Sequence, residues 1–169
     1  GDVTVTDDEA GDDAGPYGIY EYPTDTTFSQ QMDIIAGGLA TSGGNLRVDL
    51  TMAEITTVWN PVNGFDHTLF HVFIDLPEQD SGVQVLPNLN ATFAGDFAWD
   101  RFAMVEGWNI FNYAPADASA DFPGTRLNAL PEVSVEDDTV SILFPSAALG
   151  NPVTLDGVRV YVATWDWDG

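Results

Sequence analysis

Neither cysteine nor lysine occurs in this chain of 169 residues. The first absence removes disulfides, thiolate nucleophiles and cysteine-based zinc or iron–sulfur sites. The second leaves four arginines (Arg47, Arg101, Arg126 and Arg159) to face 27 acidic residues, a formal charge of −23. A field of that sign repels phosphate backbones, so nucleic acid is close to excluded as a partner and anionic membrane surfaces are disfavoured. No apolar run approaches the ~20 residues of a membrane helix, so no membrane insertion is expected. Gly1-Asp2-Val3 carry neither a start methionine nor the basic and apolar segments of a signal peptide. The chain therefore reads as a piece processed or excised from something longer.

Hydrophobic residues make up 44% of the chain and aromatic residues 12%, enough to build a core despite the acidity. Their spacing has period two. Leu46, Val48, Leu50 and Met52 alternate with Arg47, Asp49 and Thr51 within Asn45–Ile55, as in a half-buried strand. Thr68–Asp75 is apolar on both faces, which predicts a central strand covered on both sides. Trp99–Glu106, Trp108–Tyr113, Glu132–Glu136, Thr139–Phe144 and Gly157–Trp165 repeat the pattern, with Asp137-Asp138 as a tight turn. Gly11–Gly18, Gly37–Gly44, Pro77–Gly82 and Ala114–Gly124 read as turn-rich connections, the last shaped for a ligand or loosely held. The one helical piece expected is a single turn at Ser146–Leu149, capped by Ser146. Short strands without a long helix predict an all-β fold, an antiparallel β-sandwich forming a single domain over residues 1–169.

The densest chemical signal is Asp7-Asp8-Glu9-Ala10-Gly11-Asp12-Asp13, where carboxylates crowd a glycine-bearing loop with no lysine to neutralise them. A hard divalent cation is the natural counter-charge, and Ca2+ accepts about six to eight oxygens in flexible geometry. An EF-hand is not available, because Ile19 stands where its closing glutamate would fall after Asp8. The bland alternative is a solvated acidic loop. Asp8, Asp12 and Asp13 are the candidate ligands, with Asp33 and Asp168 as candidates to complete the shell.

GDDAGPYGIYEYPTD (Gly11–Asp25) followed by NPVNGFDHTLFHVFID (Asn60–Asp75) resembles the C-terminal binding module of glucodextranase, a module also attached to other α-glucan-degrading enzymes. Asp8, the Gly-Asp-Asp at 11–13, Gly15-Pro16 and Tyr20-x-Tyr22-Pro23-Thr24 match that pattern. So do Asn60-Pro61, Asn63-Gly64-Phe65 and Ile74-Asp75. Looser matches are Trp99-Asp100, Glu106-Gly107-Trp108 and Phe144-Pro145-Ser146. Trp59 departs from the pattern by preceding Asn60-Pro61 where the family places its tryptophan after the proline. The resemblance implies a DOMON-like, jelly-roll type of sandwich with calcium in or near the Gly-Asp-Asp loop. It also implies a non-catalytic role directed at carbohydrate or the cell surface.

Sugar rings present apolar C–H faces that stack on aromatic side chains, with hydroxyls seeking polar partners. Trp108, Tyr113 and Asn112 form one candidate group, Trp165 and Trp167 a second, and Trp59 a third; Trp99 is assigned to the core. His67 and His71, read as four apart on one strand face, lie about 13 Å apart and are too distant to share a metal. The DOMON-like group includes haem binders with Met and His axial ligands, which makes His71 with Met104 a rival to the default of a core histidine. Asp33, Asp75 and Glu106 are candidate site carboxylates, yet no nucleophile elbow, phosphate loop or His-Glu-x-x-His occurs, and no enzyme activity is expected. The expected partners are a polysaccharide or oligosaccharide and a parent catalytic domain in the same precursor, outside the cell or at its surface.

Overall fold

The computed structural model describes residues 2–3, 13–15, 18–20, 27–31, 34–79, 82–87, 91–93 and 95–166. The strands are β1 (Asp2–Val3), β2 (Asp13–Gly15), β3 (Gly18–Tyr20), β4 (Thr27–Gln31) and β5 (Ile34–Ser42). After them come β6 (Asn45–Met52), β7 (Thr68–Asp75), β8 (Val85–Leu86), β9 (Ala91–Thr92) and β10 (Arg101–Val105). The last five are β11 (Ile110–Ala114), β12 (Thr125–Arg126), β13 (Glu132–Glu136), β14 (Thr139–Phe144) and β15 (Arg159–Asp166). A seven-stranded sheet runs β1-β4-β15-β7-β10-β11-β12 and packs on a four-stranded sheet β13-β14-β6-β5. Among the described residues all strand pairings are antiparallel except β15 with β4, which is parallel. The all-β sandwich is thus as the period-two pattern predicts.

Alternation builds the inner core. Leu46, Val48 and Leu50 of β6, Val140 and Ile142 of β14, and Phe70, Val72 and Ile74 of β7 are fully buried between the sheets. The other face of β7 is apolar for a second reason. Phe73 and Phe102 stack with centroids 4.4 Å apart, and Trp99, Phe93, Phe97 and Val83 from the β7–β10 connection lie over them. The large sheet therefore carries a core on each face, which is why β7 reads as apolar on both sides.

Two local expectations change. Gly37–Gly44 was expected to be a turn, but Gly37 and Gly38 lie buried inside β5 and only Gly43-Gly44 turn. Small residues there suit close packing, a sense that glycine count alone does not convey. Ser146–Leu149 does form one 3-10 turn, but Ser146 does not cap it. Its amide donates instead to the Asn45 side chain at 2.8 Å, and Pro145 holds the cap position. In the Ala114–Gly124 connection Ala118 packs on the outer core and Ser119 bridges Phe122. The Asp137-Asp138 hairpin is as expected, with Asp137 taking the left-handed φ of 52° that glycine would otherwise supply.

Candidate functional site

The connection from β6 to β7 crosses the end of the sandwich where β7 begins and β10 turns into β11. Phe65 seats it, being 1% exposed and edge-on to Phe70 at 5.3 Å. The next residue, Asp66, is a carboxylate only 2% exposed. Its amide donates to the Thr56 carbonyl at 2.9 Å, and its side chain accepts from the Thr56 hydroxyl and, at 2.8 Å, from the Trp59 amide. Burial pushes the Asp66 carboxyl up. The bonds from Thr56 and Trp59 to its charged form, with His67 beside it at 3.6 Å, outweigh that and leave it below its ordinary value.

Two further bonds tie this loop to the β10–β11 turn: Asn63 donates through its amide to the Gly107 carbonyl at 2.9 Å and through its side chain to the Glu106 carbonyl at 2.7 Å. Gly107 is pressed so close that a Cβ there would stand 2.4 Å from the Phe65 carbonyl oxygen. The turn presents Trp108 next to the loop's Trp59. Their ring centroids are 6.3 Å apart with planes inclined by 31°, and Trp59 also contacts His67 at 4.1 Å. Trp59 is 45% exposed, and its neighbours Val58 and Val62 are exposed too. Two indoles held side by side on a braced rim form a platform for an apolar ring face.

The other expected site residues are placed elsewhere. Tyr113 is half-buried on the outer face of the large sheet, 6.4 Å from Phe111 at 21°, and the Arg126 guanidinium lies 4.8 Å from the Phe111 centroid. Trp165 is half-buried beside His71 at 5.9 Å. Asn112 requires a correction: it is fully buried on the opposite face from Tyr113, donating to the carbonyls of Ala129 and Ala148, each at 3.0 Å, so no surface ligand reaches it. His67 also departs from expectation. It precedes β7 with φ of 64° and belongs to the Trp59 cluster, not to a strand face shared with His71. His71 is buried, faces Met104 across the β7–β10 register, and burial pushes it down to about 4.

Of the candidate carboxylates, Asp75 is paired with Arg159, and Glu106 is buried and accepts from the Trp108 amide at 3.3 Å. Trp99 is fully buried, its indole N–H donating to the Val85 carbonyl at 2.7 Å. Asp8, Asp12, Asp33, Trp167 and Asp168 lie outside the described residues, as does the side chain of Asp13. Among the described residues no group of three or more histidine or acidic side chains is arranged to hold a metal. Sequence reasoning missed Asp66 and the role of His67. The available signal was an acid placed between Phe65 and the apolar run of β7, where burial is expected on both sides.

A family model described as the C-terminal binding module, SLH-like, of glucodextranase matches residues 3–169. No curated protein matches the chain.

Proposed function

The chain belongs to this family of C-terminal binding modules, and from that membership we propose that it binds glycan without cleaving it. It tethers a secreted glycoside hydrolase to polysaccharide, either an α-glucan or another marine glycan, a salty habitat being what a lysine-free, carboxylate-rich surface of charge −23 suits. Trp59 and Trp108 form its ligand platform, outside the cell or at its surface. The observation that carries this reading is the exposed Trp59 ring held 6.3 Å from Trp108 on a loop tied down by hydrogen bonds, at a rim where core packing does not require it. Such a module acts by raising local concentration of the attached catalytic domain near its substrate.

Calcium belongs to the same reading. Asp8, Asp12 and Asp13, with Asp33 and Asp168, supply the hard oxygen donors that Ca2+ favours, and a chain of charge −23 gains from internal neutralisation. The ion braces the fold; ligand recognition rests on the aromatic rim.

Affinity electrophoresis through gels containing soluble starch, dextran, pullulan or laminarin tests the proposal. Retardation of the wild-type chain is expected on at least one of them. Trp59→Ala should weaken it about tenfold while keeping the native melt. A wild-type chain retarded by none of these glucans would favour the second reading, attachment to the cell envelope without substrate recognition. The SLH-like description of the family is what supports that alternative.

A further inference from the structure

We infer that Asp66 is the positioning residue of the glycan platform, its buried carboxylate fixing the backbone of Trp59 so that the indole stands out beside Trp108. This rests on the glycan-binding reading of that rim. The Trp59 ring is 45% exposed and packs on one side only, against His67 at 4.1 Å and Trp108 at 6.3 Å between centroids. Val58 and Val62 nearby are 71% and 79% exposed and add no packing. With the ring held from one side, the backbone has to fix where it starts, and three features do so. The Trp59 amide is held by the Asp66 carboxylate at 2.8 Å, Asn60 turns the chain with φ of 52°, and the Asn60 amide donates to the Thr57 carbonyl at 3.1 Å. Asp66 is itself anchored, since Phe65 next to it is sunk in the core and Thr56 pairs with it through both backbone and side chain.

A bond to an ionised acceptor is stronger than a neutral one, and here it is shielded from water. Its functional consequence is pre-organisation. A platform already in the bound geometry loses less conformational freedom when a sugar stacks on it. Asp66 touches no ligand on this account and acts only through Trp59.

The test titrates wild-type and variant chains with the soluble glucan that retards the wild-type protein most. Asp66→Ala should weaken binding roughly tenfold. Asp66→Asn should restore most of it, because an amide oxygen still accepts from the Trp59 N–H while the NH2 group donates to the Thr56 hydroxyl. In a Trp59→Ala background, Asp66→Ala should cost no further affinity, a coupling that a merely structural aspartate would not show. A folded Asp66→Ala protein with wild-type affinity overturns the inference and leaves the glycan reading intact. Wild-type affinity in Trp59→Ala overturns the platform assignment and the inference with it but leaves glycan binding standing; no glucan bound by the wild-type chain overturns the glycan reading itself. Should Asp66→Ala fail to fold, amide exchange in the wild-type protein decides: the Trp59 N–H is expected to exchange about a hundredfold slower than a free peptide amide, and unprotected exchange overturns the inference.

Discussion

His71 shows how burial and chemistry part company at a single residue. Its ring lies among Phe73, Phe102 and Trp165, and neither imidazole nitrogen has a hydrogen-bond partner among the described residues. Burial therefore acts unopposed, and pushes the group from its ordinary value near 6.5 down to about 4. The unfolded chain takes up a proton between those values while the folded chain does not, so stability falls as pH drops from 6.5 to 4. The loss attributable to this residue is about 3 kcal/mol at the lower end. His71→Phe fills the same space without orphaned polar atoms. Urea melts should show it at least as stable as wild type at pH 7, and its advantage should widen by that amount at pH 4. A constant difference across this range would mean that His71 is hydrated.

At the scale of elements, the rim is made by one loop and one turn gripping each other. The β10–β11 turn closes with the Glu106 amide donating to the Asn109 carbonyl at 3.0 Å, and Gly107 lets it lie flat on Phe65 and Pro61. Gly107→Ala would force backbone against backbone, since its Cβ would fall 2.4 Å from an oxygen that belongs to the chain itself. We expect a loss of about 1–3 kcal/mol in chemical denaturation and weaker glucan retardation, because the turn carries Trp108. Gly43→Ala is the control. It has open space around it and φ of 58°, so it should cost only about 1 kcal/mol and leave binding unchanged.

For the whole molecule the deciding quantity is charge. Three of the four arginines are committed to partners within the chain, Arg159 to Asp75 and Asp96, Arg47 to Asp49, and Arg101 to the carbonyls of Ala148 and Asp100, while the exposed Arg126 lies over the Phe111 ring. What remains is a surface of uncompensated carboxylates whose mutual repulsion opposes folding. The proposed Ca2+ would relieve part of it and would stabilise the native state by an amount that grows with the logarithm of the free ion concentration above its dissociation constant. Chelator should therefore lower Tm and added calcium restore it. The measurement belongs at constant ionic strength, since simple screening also relieves the repulsion. An unchanged melt in chelator would remove calcium from the proposal.

Period two was enough to determine an all-β sandwich, because alternation dictates which faces are buried whatever the strands pair with, and the motifs Gly11–Asp25 and Asn60–Asp75 carried the resemblance to a binding module. They also placed Trp99 in the core, since it opens an alternating run. Which tryptophans share a surface was a different matter. Trp59 and Trp108 lie far apart in the chain, and only the docking of Phe65 and Gly107 brings their rings together. Asn112 and Tyr113 are adjacent in sequence yet lie on opposite faces, so their neighbourhood along the chain misleads about Asn112. Asp66 is one acid among 27 until the fold buries it. Local pattern decides burial; contact between distant residues is decided only when the sheets close on one another.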